Sequence, residues 1–130
     1  MAVDIMIEVE NKPGELAKLA AAVSDAGVNL SAATFTGGDT AQLHILVKHA
    51  EPVRHALAIT HADVRTTERE VVVVEMDDNP GALVDIARQI ADAGVNIDTV
   101  YVATNNRAVF HSTDMEGLRR ALHGRESHLH

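Results

Sequence analysis

Aliphatic residues alternate with other side chains at the start of the chain, and a helical spacing follows. Residues 3–10 read VDIMIEVE, with an aliphatic residue at every odd position, and this period of two predicts a half-buried strand. Pro13 suits the first position of a helix because it has no backbone N–H to leave unpaired, and Gly27 suits the end of that helix. Between them the apolar residues recur at helical spacing. These apolar positions are Leu16, Leu19, Ala20 and Val23.

The same pattern occurs a second time further along the chain. Residues 11–30 read NKPGELAKLAAAVSDAGVNL, and residues 78–97 read DNPGALVDIARQIADAGVNI. The shared proline, glycine and asparagine positions recur 67 residues later. Because a repeat at constant offset indicates duplicated structural units, we expect one unit at 1–69 and a second at 70–130.

The rest of the first half predicts three more strands and one more helix. Strands are expected at about 29–36 and at 41–48, joined by a Gly-Gly-Asp turn at 37–39. Pro52 opens a shorter helix, and a fourth strand is expected at 61–69. This order is that of the ferredoxin-like βαββαβ unit. The predicted class is therefore α+β, with two such units in tandem and the helices on one face of an antiparallel sheet.

The second half repeats this order but ends weakly. Strands at 96–103 and 108–112 flank an Asn-Asn turn at 105–106, and Asp114 can cap a last helix. The remaining sequence is a poor strand, so the fourth strand of this unit is expected to be short, absent or contributed by another chain. The join at 65–76 contains no Gly, Pro or Ser. We therefore expect the fourth strand of the first unit to run straight into the first strand of the second.

Composition and charge exclude several classes of function. Hydrophobic residues make up 46% of the chain and aromatic residues only 2%, so the core must be aliphatic. A net charge of -8 argues against nucleic-acid binding, because phosphate binding needs a basic face. Without cysteine there is no disulfide, thiol nucleophile or cysteine-ligated zinc. No segment resembles a signal peptide or a membrane span, so we expect a soluble cytoplasmic protein without a membrane partner.

The eight histidines raise the question of a metal site. His44 and His111 occupy equivalent positions on the predicted third strands, but neither has a second ligand at metal-binding spacing. No serine lies in a GxSxG context, and there is no glycine-rich phosphate loop. We therefore expect no metal, no cofactor and no enzymatic activity.

Several apolar residues are assigned to the face of the sheet that points away from the helices. An antiparallel sheet with helices on one side usually has polar residues on the other side. Apolar residues there predict a buried contact, most simply a homodimer, which would also cover an unpaired edge strand. The residues assigned to this face are Met6, Phe35, Val71, Val73, Val100 and Val102.

The repeated segment resembles a known family. A strand followed by N-K-P-G-E-L, a helix and A-G-V-N-L is similar to the ACT domain, a small ligand-binding regulatory module, and D-N-P-G-A-L through A-G-V-N-I is equally similar to it. Together the two copies cover nearly the whole chain. The resemblance implies a sensor that binds an amino acid or a related metabolite between ACT units. Occupancy of the site would regulate a partner enzyme or another attached protein allosterically.

The resemblance also implies where the ligand binds. In amino-acid-binding members, the loop after the first strand and the start of the second strand line the site. The second copy has Asp78 where asparagine is expected, so this position either binds a ligand carboxylate poorly or faces an ammonium group instead. The residues carried over are Asn11, Pro13, Gly14, Glu15 and Asn29 in the first copy, and Asp78, Pro80, Gly81, Ala82 and Asn96 in the second.

The chemistry of these residues suits a zwitterionic ligand. A helix N-terminus presents unpaired N–H groups and partial positive charge, glycine allows close approach to the backbone, and asparagine both donates and accepts. Glu8 or Glu10 could hold an ammonium group. The same residues also suit a helix start and stop without any ligand. The alternative is therefore an interaction module that only dimerises or docks a partner.

Overall fold

The computed structural model describes residues 2–61 and 63–127, which form two compact units. The first is Val3–Arg69, and the second comprises Ala2 and the described residues from Glu70 onward. Among the described residues, no helix is long and apolar enough to cross a membrane. The strands are β1 (Ala2–Glu10), β2 (Ala32–Thr36), β3 (Thr40–Val47), β4 (Arg65–Glu75), β5 (Thr99–Ala103) and β6 (Arg107–His111), and the helices are α1 (Glu15–Asp25), α2 (Glu51–Thr60), α3 (Ala82–Asp92) and α4 (Met115–Ala121).

The order of elements confirms the predicted α+β class. In the first unit the strand order is β2-β3-β1-β4, and in the second it is β4-β6-β5. The pairs β1–β3, β2–β3, β4–β6 and β5–β6 are antiparallel. The strand β4 is uninterrupted from Arg65 to Glu75, which confirms that the fourth strand of the first unit continues into the first strand of the second.

The core of the first unit lies between the sheet and the inner faces of α1 and α2. Alternate residues of β1 and β3 supply its sheet side, and Leu19 and Val23 supply the side from α1. The predicted helix stripe is only partly right, because Leu16 is 43% exposed and Ala22 is buried in place of Ala20. The helix is therefore rotated slightly from the orientation that its sequence predicts.

The core of the second unit repeats this arrangement. Ile86 and Ile90 of α3 are at most 1% exposed and occupy the positions of Leu19 and Val23. Phe110, which is 1% exposed, is the largest side chain of this core. An aliphatic core with one buried aromatic ring agrees with the composition.

Three local predictions need correction at the ends of elements. Pro13 is not the first helical residue: α1 begins at Glu15, because Gly14 adopts a left-handed conformation with φ 91° that no helix can contain. The fourth strand begins at Arg65 and not at His61. His61 caps the C-terminus of α2, where its backbone N–H donates to the Leu57 carbonyl at 2.7 Å. The second strand of each unit begins later than predicted, β2 at Ala32 and β5 at Thr99.

The assignment of three residues to the outer face of the sheet is wrong. Residues paired across antiparallel strands point to the same face, and the partners of Phe35, Val100 and Val102 all belong to a hydrophobic core on the helix side. All three lie on edge strands, which explains why they remain partly exposed. The cross-strand pairs are Phe35 with Leu43, Val100 with Phe110, and Val102 with Ala108.

The valines on the other face of β4 do not provide an exposed surface. Val71 is 0% exposed and Val73 is 1% exposed within the single chain, and Met6 is half-buried. A second copy is therefore not needed to bury these valines, and they do not support the homodimer that was predicted from them.

The turn and cap predicted in the second unit are confirmed. Asn105 and Asn106 have φ 60° and 53°, the left-handed pair that a tight hairpin turn requires. The Asp114 carboxylate accepts a hydrogen bond from the Gly117 N–H at 2.9 Å and so caps α4.

The fourth strand of the second unit, expected to be short, absent or contributed by another chain, is reduced to an isolated bridge among the described residues. Val74 forms a single antiparallel bridge with Glu126, and the Ser127 N–H donates to the Val73 carbonyl at 2.6 Å. The last part of the predicted unit, 128–130, lies outside the described residues.

Candidate functional site

The turn between β1 and α1, which we call the first corner, has a backbone that only glycine adopts easily. Gly14 has φ 91°, and an added Cβ would meet nothing within 4 Å. Glycine is therefore required here for its conformation and not for space. The Asn11 Nδ2 donates to the Gly38 carbonyl at 2.9 Å, which fixes the corner against the β2–β3 turn and occupies the amide expected to contact a ligand.

The backbone amides at the start of α1 are open. The Lys18 N–H donates to the Gly14 carbonyl at 3.1 Å, and the Glu15 N–H makes a long 3.4 Å contact with the Lys12 carbonyl. Within the described part of the chain, the N–H groups of Gly14, Leu16 and Ala17 have no acceptor. These donors and the partial positive charge of the helix end favour an anion beside them.

Charged side chains surround this helix end. The Lys12 Nζ lies 3.1 Å from a Glu10 carboxylate oxygen and 3.7 Å from Glu15, and the Lys18 Nζ lies 3.7 Å from the same Glu15 oxygen. The hydrogen bond and charge of Glu10, with a smaller contribution from Glu15, raise the pKa of Lys12 above its ordinary value. Lys12 therefore carries a positive charge at neutral pH.

An open cleft of about 540 Å³ adjoins the first corner and lies entirely within the first unit. The end of β1, the first turns of α1, the end of α2 and the start of β4 line the cleft. Of the predicted site residues, only Glu15 lines the cleft. The other four of the first copy are exposed but do not line it: Asn11, Pro13, Gly14 and Asn29. The charged residues in its walls include Glu8, Glu10, Lys12, Glu15, Lys18 and Arg65.

The equivalent turn between β4 and α3, which we call the second corner, has its glycine N–H bound by a neighbouring side chain. Gly81 has φ -93°, an ordinary right-handed value. Its N–H donates to the Asn79 side-chain oxygen at 3.1 Å, and the Ala82 N–H donates to the Asn79 carbonyl at 3.2 Å. Of the other residues predicted here, Asp78, Pro80 and Asn96 are exposed and Ala82 is half-buried.

The two corners also differ in charge. Lys12 and Lys18 have Asn79 and Asp85 as their equivalents, 67 positions later. The second corner therefore lacks both lysines and has an acidic residue in the first turn of α3. Both helices have an acidic residue in the first turn, Glu15 in α1 and Asp85 in α3. The absence of the two lysines therefore makes the second corner less suited to an anionic ligand group.

The two equivalent histidines are held by carboxylates and not arranged as metal ligands. The His44 Nδ1 lies 3.1 Å from Asp4, which is fully buried and also 3.5 Å from the Arg69 guanidinium. The His111 Nδ1 lies 2.7 Å from Asp98. Among the described residues there is no group of three histidine, aspartate or glutamate side chains that could hold a metal ion.

The two tandem βαββαβ-type units, each with a glycine between its first strand and its first helix, define a paired α+β fold. The chain belongs to the ACT domain pair family, whose profile matches residues 1–121. The resemblance seen in the repeated segment is therefore confirmed.

Solved structures share this architecture. Protein BT0572 from Bacteroides thetaiotaomicron is 27% identical, with 92% of this chain and 85% of that chain covered and a TM-score of 0.81. The ligand-free regulatory subunit of aspartate kinase from Thermus thermophilus is 21% identical, with coverages of 94% and 89% and a TM-score of 0.67. The same subunit from Thermus flavus is 19% identical, with coverages of 94% and 90% and a TM-score of 0.65. The search of curated proteins found no match.

Proposed function

We propose that this chain is a regulatory protein without catalytic activity that binds a small amino-acid-like metabolite in the cleft at the first corner. Membership of the ACT domain pair family supports a regulatory, ligand-binding role. One observation carries the choice of site: a single cleft beside the start of α1 is lined by both cationic and anionic residues. This mixture suits a ligand that carries a carboxylate and an ammonium group together.

The electrostatics of the cleft favour such a zwitterion over a simple anion or cation. The N-terminus of α1 with Lys12 and Lys18 favours the carboxylate, and a helix end typically contributes about 0.3–1 kcal/mol to such an interaction. The glutamates of β1 favour the ammonium group. Lys12 and Lys18 already pair with Glu10 and Glu15 at 3.1–3.7 Å. A ligand that carries both charges can exchange such ion pairs for its own, whereas a singly charged ligand cannot.

Binding regulates only if the ligand prefers one arrangement of the protein over another. We propose that this arrangement involves a second copy of the chain or a partner enzyme in the cytoplasm. The two aspartate kinase structures are named as regulatory subunits, and by analogy we place this chain beside a separate catalytic protein.

A module that binds no metabolite is the second candidate, and exposed apolar side chains favour it. Leu16, Leu30 and Phe35 in the first unit are 37–43% exposed, and Val100 and Val102 in the second are 46% and 61% exposed. Such side chains suit a protein–protein contact whether or not the cleft is occupied.

Thermal denaturation with each of the twenty amino acids separates the two candidates. At least one should raise the melting temperature, because a ligand at 100 times its Kd stabilises the native state by about 2.7 kcal/mol. Lys18→Glu, which reverses a charge beside the cleft, should reduce the shift. The matched change Asp85→Lys, at the equivalent position of the second unit, should leave it unchanged. A panel without any stabilising amino acid would favour the interaction module.

A further inference from the structure

A second cavity of the first unit adjoins the cleft, and we call it the side pocket. It has a volume of about 200 Å³ and lies between α2 and β4. His61 and Val64 line both the cleft and the side pocket, so the two cavities adjoin each other along the segment that joins α2 to β4. The side pocket is lined by Ile5, Arg54, Leu57, Ala58, His61, Val64, Thr66 and Glu68.

The strand residues of the side pocket face the helices. Ile5 belongs to the core between the sheet and the two helices of this unit, and Val64 packs against that core. The Glu68 carboxylate contacts Arg54 of α2, so the Glu68 side chain points toward α2. Because side chains alternate along a strand, Thr66, two residues earlier, points the same way. The side pocket is therefore enclosed by side chains of both elements.

The floor of the side pocket is aliphatic. Ile5 and Leu57 are 2% and 3% exposed, Val64 is half-buried, and Ala58 adds a methyl group from α2. An apolar cavity of roughly 150 Å³ is large enough to hold benzene, so the side pocket has room for an aliphatic side chain of three or four carbons. Each methylene group that the ligand buries there strengthens binding about fourfold.

The charged groups of the side pocket are already paired with each other. Arg54 donates two hydrogen bonds to Glu68, at 2.8 and 2.7 Å, and the His61 Nδ1 lies 2.8 Å from the Thr60 hydroxyl. A ligand side chain with a single charge gains a counter-charge only by breaking the pair of Arg54 and Glu68, which leaves the other partner unpaired. An aliphatic side chain requires no such exchange. The side pocket therefore favours an uncharged, apolar group.

We propose that the side pocket binds the side chain of the ligand, and that the ligand is an α-amino acid with an aliphatic side chain: valine, leucine or isoleucine. This inference rests on the proposed function and names the class of metabolite. The amino and carboxylate groups lie in the charged cleft, and the side chain lies beyond His61 and Val64 in the side pocket. Each part of the ligand then meets a surface of matching chemistry.

A series of amino acids tests the class of ligand without any variant. The full wild-type chain is titrated by calorimetry with alanine, valine, leucine, isoleucine, aspartate and lysine. At least one of the three branched amino acids should bind roughly 10- to 100-fold more tightly than alanine, at about fourfold for each buried methylene group. Alanine binding as tightly as the branched amino acids, or tighter binding of aspartate or lysine, would show that the inference is wrong while the proposed function stands. If none of the twenty amino acids binds, both are wrong.

A variant that fills the side pocket tests its role. Ala58 is exposed on α2 and lines the side pocket, so Ala58→Leu should occupy the space of the ligand side chain. It should reduce the preference for the best branched amino acid over alanine at least 10-fold. The matched control is Ala21→Leu, at an exposed alanine of α1 that lines neither cavity, and it should keep the preference. A preference that persists in Ala58→Leu, or falls equally in both variants, would overturn the assignment of the side pocket.

Discussion

The first and second corners arise from one repeated segment but differ in backbone and in charge. Gly14 is left-handed and its N–H has no acceptor among the described residues, whereas Gly81 is right-handed and its N–H is bound by Asn79. The residue two positions before each glycine explains the difference. Asn79 has a short side chain whose oxygen reaches the N–H two residues ahead, and Lys12 has no acceptor to offer. The comparison teaches that a repeated glycine does not imply a repeated site.

The helix positions that pack into the cores do not show this divergence. Leu19 and Ile86 are equivalent in sequence, and each is at most 1% exposed in its own unit. Val23 and Ile90 are likewise equivalent, with 2% and 0% exposure. The two units therefore share their scaffold and differ where a ligand would bind.

The largest expected effects test the equivalence of the cores. Leu19→Ala and Ile86→Ala should each lower the free energy of unfolding by about 2–5 kcal/mol, because each removes a fully buried aliphatic side chain. Urea denaturation measures both. The exposed neighbours give the control: Leu16→Ala and Leu83→Ala should cost much less. A small loss at only one of the two buried positions would show that the cores are not equivalent.

The next prediction compares the effect on stability of replacing the glycine at each corner by alanine. Gly14→Ala should destabilise the protein by about 1–2 kcal/mol, because alanine is strained in the left-handed region. Gly81→Ala should be neutral or stabilise by about 0.4–1 kcal/mol, since its conformation suits alanine and reduces the entropy of the unfolded chain. The nearest atom to the new Cβ would be the Asn79 side-chain oxygen at 3.8 Å, an ordinary contact. Equal losses in urea denaturation would contradict the difference in backbone.

A smaller effect on stability is expected from substitution of Asn79, whose side chain accepts a hydrogen bond from the Gly81 N–H. Asn79→Ala should cost about 1 kcal/mol, as for loss of a capping side chain at a helix start. Lys12→Ala should leave the stability of the backbone turn unchanged, because the Lys12 side chain makes only ion pairs. Hydrogen exchange of the Gly81 amide offers a local measurement, and it should become faster only in the Asn79 variant. Unchanged exchange at Gly81 would show that Asn79 does not protect it.

The smallest expected effect concerns an ion pair that only the first unit has. Arg54 donates two hydrogen bonds to Glu68, at 2.8 and 2.7 Å, and Ala121 is the equivalent of Arg54 in the second unit. These hydrogen bonds, and the charge of the guanidinium, hold the pKa of Glu68 below its ordinary value of 4.5 against the opposing effect of burial. The stabilisation is therefore present above about pH 4.5 and is lost as the pH falls through the lowered pKa.

Arg54→Met should raise the pKa of Glu68, which a carboxyl NMR titration measures. The difference in stability between wild type and variant should shrink as the solution is acidified below that range. A pKa of Glu68 that is the same in both proteins would show that the pair is not formed in solution.

The elements that carry local signals could be predicted from the sequence. The period-two run of β1, the left-handed helix ends at Gly27 and Gly94, and the Asn105-Asn106 turn all depend on residues close together in the chain. These local signals predict the order of strands and helices along the chain, and that order predicts the α+β class.

Features that depend on pairing between distant segments could not be predicted in the same way. The sequence pattern assigns Phe35 to the wrong face, because a shift of one residue at the start of a strand exchanges its two faces. The same pattern does not predict that Arg65 lines the cleft, because only strand pairing between distant parts of the chain brings it to the end of β1. The hydrogen bond from the Gly81 N–H to the Asn79 side chain could have been predicted from the sequence, because an asparagine side chain commonly accepts from the N–H two residues ahead.

The central claim is that the first corner binds an amino acid and the second does not. The most direct measurement is a two-dimensional amide NMR spectrum of the full chain, titrated with the amino acid that stabilises it most. The account predicts concentration-dependent shifts at Gly14, Leu16 and Ala17, with the amides of Gly81, Leu83 and Val84 unmoved. Shifts at the second corner alone, or at neither corner with every amino acid tested, would contradict it.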